Sequence, residues 1–62
     1  MKGYYAQVAA QLRGAGFWLF APGKGSHEKW TNGRIKLIVS RNCFSRHTAN
    51  AIMRDAGLDH RF

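Results

Sequence analysis

The 62-residue chain contains one cysteine, one proline and only three acidic residues. A single cysteine, Cys43, cannot close an intrachain disulfide, and four-ligand zinc frameworks need more Cys and His at tighter spacing than this chain offers. The longest unbroken apolar run, Phe17 to Pro22, falls far short of the roughly 20 residues of a membrane span, and no signal-peptide pattern opens the sequence. These shortages predict a cytoplasmic protein with no cofactor, no metal and no membrane contact. Length excludes a two-domain enzyme: a chain this short buries only about 60% of its unfolded surface, so residues 1–62 are read as one domain.

What is present is apolar and basic. An apolar fraction of 45%, with four Phe, two Trp and two Tyr, exceeds the content of a disordered tail and predicts a small packed core. Ten Lys and Arg against three Asp and Glu give a net charge of +7, which points to a polyanion or an acidic protein as partner. The charge is local. Between residues 24 and 46, Lys24, Lys29, Arg34, Lys36, Arg41 and Arg46 face Glu28 alone.

Periodicity predicts five elements. Tyr5, Val8, Ala9 and Leu12 form the stripe of an amphipathic helix over 4–13, ended by Gly14 and Gly16. Residues 17–21, short, aromatic and bounded by Gly16 and Pro22-Gly23, make a strand. Residues 27–31 and 34–40 flank Asn32-Gly33, the dipeptide suited to a two-residue type I′ hairpin turn. Ser45 is the N-cap of a second helix over about 46–56, with the stripe Ala49, Ile52, Met53, Ala56 and a C-terminal Gly57. Residues 59–62 read as a loosely held tail. The order is α-β-β-β-α: an α+β fold in which a three-stranded antiparallel sheet carries both helices on one face.

A two-residue turn sets Thr31 opposite Arg34, Trp30 opposite Ile35, Lys29 opposite Lys36 and His27 opposite Ile38. Alternation then sends Trp30, Ile35, Leu37 and Val39 to the core, and His27, Lys29, Arg34, Lys36 and Ile38 to the open face. Directly opposed lysines cost roughly 0.2 to 1 kcal/mol unless they splay into solvent, and an anionic ligand would give them a reason. Lys24-Gly25-Ser26-His27 enters the strand through a glycine that permits close approach of a backbone or a phosphate. A histidine exchanges protons near neutral pH, so His27 can remove the proton of an RNA 2′-OH while Lys29 and Lys36 stabilise charge on the phosphorane-like transition state, with no metal required. The plain alternative is a solvated histidine, which is also the reading for His47 and His60. Arg41 and Arg46 can hold a phosphate at the start of the second helix, or merely be solvated there. Trp18 is assigned to the core, with base stacking as its alternative; Cys43 is a half-buried thiol, and Phe44 packs under the loop that carries it.

These residues together resemble the HicA toxin family. Gly16-Phe17, Gly25-Ser26-His27, the aromatic Trp30, the hairpin, and a closing helix with Thr48, Ile52 and the Ala56-Gly57-Leu58 end carry the likeness, from about residue 5 to residue 58. The resemblance implies a fold like a double-stranded-RNA-binding domain and the activity of an mRNA interferase, the endoribonuclease toxin of a type II toxin–antitoxin pair. It makes His27 the catalytic histidine and implies mRNA and a HicB-type antitoxin as partners. Lys24, Gly25, Ser26, Lys29, Arg34 and Lys36 are the accompanying RNA-binding candidates. The sequence departs from the family at Val39-Ser40-Arg41-Asn42, where members often carry a Pro-containing segment, and its first strand is less polar, as a covered surface would explain. Two other classes fit the charge and the pattern: a non-catalytic RNA-binding module, and a protein-interaction domain using Ile38, Trp18 and the cations.

Overall fold

A computed structural model describes residues 3–62. The elements follow the expected order: α1 (Tyr5–Gly14), β1 (Trp18–Pro22), β2 (His27–Thr31), β3 (Lys36–Ser40) and α2 (Arg46–Asp55). The strands form one antiparallel sheet in the order β1-β2-β3. Val8, Ala9 and Leu12 of α1 and Ala49, Ile52 and Met53 of α2 meet Trp30, Leu37 and Val39 in a single buried cluster, so both helices cover one face of the sheet. No helix among the described residues is long and apolar enough to cross a membrane.

Local chemistry explains where each element stops. The N–H of Phe17 bonds to the carbonyl of Leu12 (2.9 Å) and that of Gly16 to Arg13 (3.1 Å), while at the second helix Leu58 bonds to Met53 (2.9 Å) and Gly57 to Arg54 (3.0 Å). Both helices thus close on a Schellman motif, with glycine at the position that takes a left-handed backbone, φ 92° at Gly16 and 78° at Gly57. Because Phe17 completes the first of these turns, β1 starts one residue later than periodicity suggests. Ser45 caps α2 as anticipated, its hydroxyl accepting the N–H of His47 at 3.1 Å.

The hairpin between β2 and β3 departs from its expected register. Thr31 pairs with Lys36, Trp30 with Leu37, Lys29 with Ile38 and His27 with Ser40, leaving a four-residue loop in place of two. Asn32 is not in the positive-φ region that a type I′ turn requires. Its side-chain oxygen instead accepts the N–H groups of Arg34 (2.9 Å) and Ile35 (2.8 Å), while the Thr31 hydroxyl accepts from Gly33 N–H (3.0 Å) and donates to the Ile35 carbonyl (2.8 Å). Two side chains therefore close the loop by bonding its own backbone groups. The slip is by two residues, so every side chain keeps its face. Lys29 and Lys36, however, are not directly opposed, and Arg34 and Ile35 lie in the loop.

Three further expectations are corrected. The C-terminal residues are tied down: the N–H of Phe62 donates to Asn50 Oδ1 at 2.8 Å, and its ring meets Tyr4 and His60 with centroids 5.5 and 4.6 Å apart. Phe44 lies beside Gly3 but is 63% exposed. Cys43 is wholly buried, not half-buried, because the chain ahead of α1 crosses its loop and the N–H of Tyr4 bonds to the Cys43 carbonyl. Burial pushes the Cys43 thiol up, away from the reactive thiolate. A water-soluble disulfide reagent is accordingly expected to label Cys43 slowly in the native protein and at once in denaturant; fast native labelling would contradict this packing.

Candidate nucleic-acid interface

His27 opens β2 and is exposed. The turn before it is closed by the His27 N–H on the Lys24 carbonyl (3.0 Å) and by the Gly23 N–H on the His27 carbonyl (2.9 Å), with φ 59° at Gly25. The two glycines have different roles from the one anticipated. A Cβ at Gly25 would meet nothing within 4 Å, whereas one at Gly23 would stand 3.0 Å from the His27 carbonyl and 3.1 Å from its Cβ. Gly25 therefore serves the turn, and Gly23 is the close approach that seats His27.

On the far side of the turn stands a cation that sequence reasoning placed elsewhere. The Arg41 N–H bonds to the Ser26 carbonyl (2.9 Å), and its Nη2 reaches the Gly25 carbonyl (3.4 Å). Arg41 thus belongs beside Gly25-Ser26-His27, its guanidinium turned toward that segment. The true register holds the signal: once His27 opposes Ser40, Arg41 continues the ladder opposite Ser26. A recess of about 320 Å³ at this end of the sheet is lined by Pro22, Gly25, His27, Glu28 and Arg41, among others.

Lys29 is exposed in the middle of the central strand, two positions from His27 on the same face. Lys36 is exposed opposite Thr31, four positions and about 13 Å along the sheet from His27. Arg34 is exposed in the loop beyond, Lys24 is exposed in the β1–β2 turn, and Ser26 is half-buried with its carbonyl taken by Arg41. The candidates consequently form a line, with Lys24, Gly25, Ser26, His27 and Arg41 at one end, Lys29 between, and Lys36 and Arg34 at the other. Lys36 thus stands two positions farther from His27 along the sheet than the two-residue turn would have set it.

The acids lie off this face. Glu28 is turned to the helix side, where its Oε1 accepts the Tyr5 hydroxyl (2.7 Å) and the Trp30 indole N–H (3.1 Å). Tyr5 is held above its ordinary pKa by burial first, then by the hydrogen bond to Glu28 and by that carboxylate's charge. Asp55, paired with Arg54 at 3.7 Å, ends α2, and Asp59 follows it. Among the described residues no three His, Cys, Asp or Glu side chains gather where they could share a metal ion.

The same face is unexpectedly apolar at its margins. Trp18 is 50% exposed rather than in the core, with Phe20 at 42% and Ile38 at 57%. Both helices pack on the other side of the sheet, and among the described residues no layer covers these side chains. Compared with protein-family models, with curated proteins and with solved structures, the chain matches none.

Proposed function

We propose that this chain is a metal-independent endoribonuclease acting through His27, the toxin of a HicA-like toxin–antitoxin pair. The observation that carries the reading is an exposed histidine at the head of a sheet face whose charged side chains, Lys29 and Lys36, are all cations, while the nearest carboxylate, Glu28, is engaged on the opposite side. In this reading the His27 imidazole takes the proton of a ribose 2′-hydroxyl as that oxygen attacks the adjacent phosphorus. The bond from phosphorus to the next 5′-oxygen breaks, leaving a 2′,3′-cyclic phosphate and, after protonation, a 5′-hydroxyl. Arg41 and Lys29, flanking His27, offset charge on the phosphorane-like transition state. Lys36, Arg34 and Lys24 hold phosphates further along the strand. A HicB-type antitoxin silences such a domain most directly by laying acidic or acceptor groups over the His27 face, so complex formation competes with RNA.

Incubation with end-labelled RNA in EDTA tests the reaction, and fragments ending in 2′,3′-cyclic phosphate are the expected product. Binding without cleavage would reduce the protein to an RNA-binding module, and neither would leave a protein-interaction domain. Lys29→Ala and Lys36→Ala are each expected to weaken RNA binding and to lower the slope of log affinity against log salt by about 0.7 to 0.9, one phosphate contact's worth. Both side chains are exposed, so melting temperatures should hold; a much lower one for Lys36→Ala would contradict its outward position.

A further inference from the structure

The geometry points to a single-stranded RNA subsite on the open sheet face, in which unpaired bases stack on Trp18 and Phe20 while the phosphate backbone follows Lys29 and Lys36. The inference rests on the RNA reading above and adds what part of the nucleic acid is bound, and in what form.

Phe20 owes its place to a bulge. The β1–β2 register shifts between Leu19 and Ala21, inserting Phe20 as an extra residue, and Lys36 Nζ lies 5.9 Å from the centroid of the Phe20 ring. That contact fixes Phe20 on the open face, and a bulge is a common means of re-aiming a side chain. Trp18 pairs with the buried Thr31, and its ring reaches the hairpin loop, 3.8 Å from where a Gly33 Cβ would stand. Two π-systems therefore lie along one margin. Between them and Ile38 a shallow recess of about 340 Å³ is lined by Phe20, Lys29, Lys36 and Ile38.

The arrangement of charge decides the occupant. Protein interfaces place apolar and aromatic residues at the centre and polar residues at the rim. Here the order is reversed: the central strand carries His27 and Lys29, Lys36 reaches from β3 across the sheet toward Phe20, and the exposed apolar side chains stand on the two outer strands. A cationic centre suits a polyanionic backbone, and an aromatic margin suits planar bases that splay from it, the combination used by sequence-tolerant single-strand binders. A duplex offers no such bases, since its own are already stacked.

A fluorescently labelled oligoribonucleotide with 2′-O-methyl groups lacks the attacking hydroxyl and reports binding without cleavage. Trp18→Ala and Phe20→Ala are each expected to lose roughly 5- to 150-fold in affinity. Trp18→Phe should recover most of it, and Phe20→Leu, which keeps bulk without a π-face, should not. The salt slope should stay unchanged in the aromatic variants, in contrast to Lys29→Ala. Wild-type affinity in both alanine variants, or equal affinity for a blunt RNA duplex, would overturn the stacking subsite and leave the face to a protein partner, with RNA binding itself intact. No binding of RNA by the wild-type protein would overturn the RNA reading and this subsite together.

Discussion

His27→Ala is expected to lower the rate of RNA cleavage by a factor on the order of 100 or more, the usual cost of removing a general base, and to abolish growth inhibition in cells. The fold should not notice. His27 is exposed, so truncating it opens no cavity, and the bonds that seat it, its N–H on Lys24 and its carbonyl to Gly23, are main-chain bonds that alanine keeps. RNA affinity should likewise persist, because the cations and aromatics proposed to hold the strand are untouched. Cleavage assays on a variant with unchanged circular dichroism and melting temperature make the comparison. Undiminished cleavage by such a variant would remove His27 from the chemistry and leave Arg41, Ser40 and the lysines with no general base among them.

The parts of this structure that were legible in the sequence are those fixed by local period or by parity. The helices announce themselves because Val8, Ala9 and Leu12, or Ala49, Ile52 and Met53, repeat within a few residues, and Ser45 and Gly57 mark the ends of the second. The faces of β2 and β3 were legible because a two-residue slip leaves Trp30, Leu37 and Val39 inward and His27, Lys29 and Ile38 outward. Register itself was not legible. It turns on whether Asn32 takes a positive φ beside Gly33 or spends its side-chain oxygen on the Arg34 and Ile35 N–H groups, a competition between two local solutions. That one choice moved Lys36 away from the histidine and brought Arg41 toward it. The exposure of Trp18 and Phe20 was hidden for another reason: the pattern predicts an open sheet face but sets no register for β1, and the bulge that turns Phe20 to that face is set by pairing with β2 that a short apolar run does not announce.

Trp30→Ala should have the largest effect on the fold. Trp30 is the largest of the fully buried side chains, lies in the central strand opposite Leu37 and Leu19, has the Arg13 guanidinium 5.1 Å over its ring, and donates its indole N–H to Glu28 at 3.1 Å. Truncation of a buried Trp costs about 3 to 5 kcal/mol. For a chain of 62 residues, a typical total stability of 0.05 to 0.15 kcal/mol per residue is roughly 3 to 9 kcal/mol, so one substitution removes from about a third to all of it. A domain of this size loses about 4 to 8 °C of melting temperature per kcal/mol, which puts the expected fall at roughly 12 to 40 °C by thermal circular dichroism. Trp30→Phe keeps most of the packing and forfeits the bond to Glu28, and its fall should be several-fold smaller. Both effects reach the candidate site through the strand: Trp30 anchors β2 to the helices, and β2 presents Lys29 and His27 on its other face. Cleavage lost in Trp30→Ala should therefore return in Trp30→Phe along with the fold, whereas loss in His27→Ala should come with the melting curve unmoved. A Trp30→Ala protein that melts within a few degrees of wild type would mean that the helices are held on the sheet by something other than this side chain.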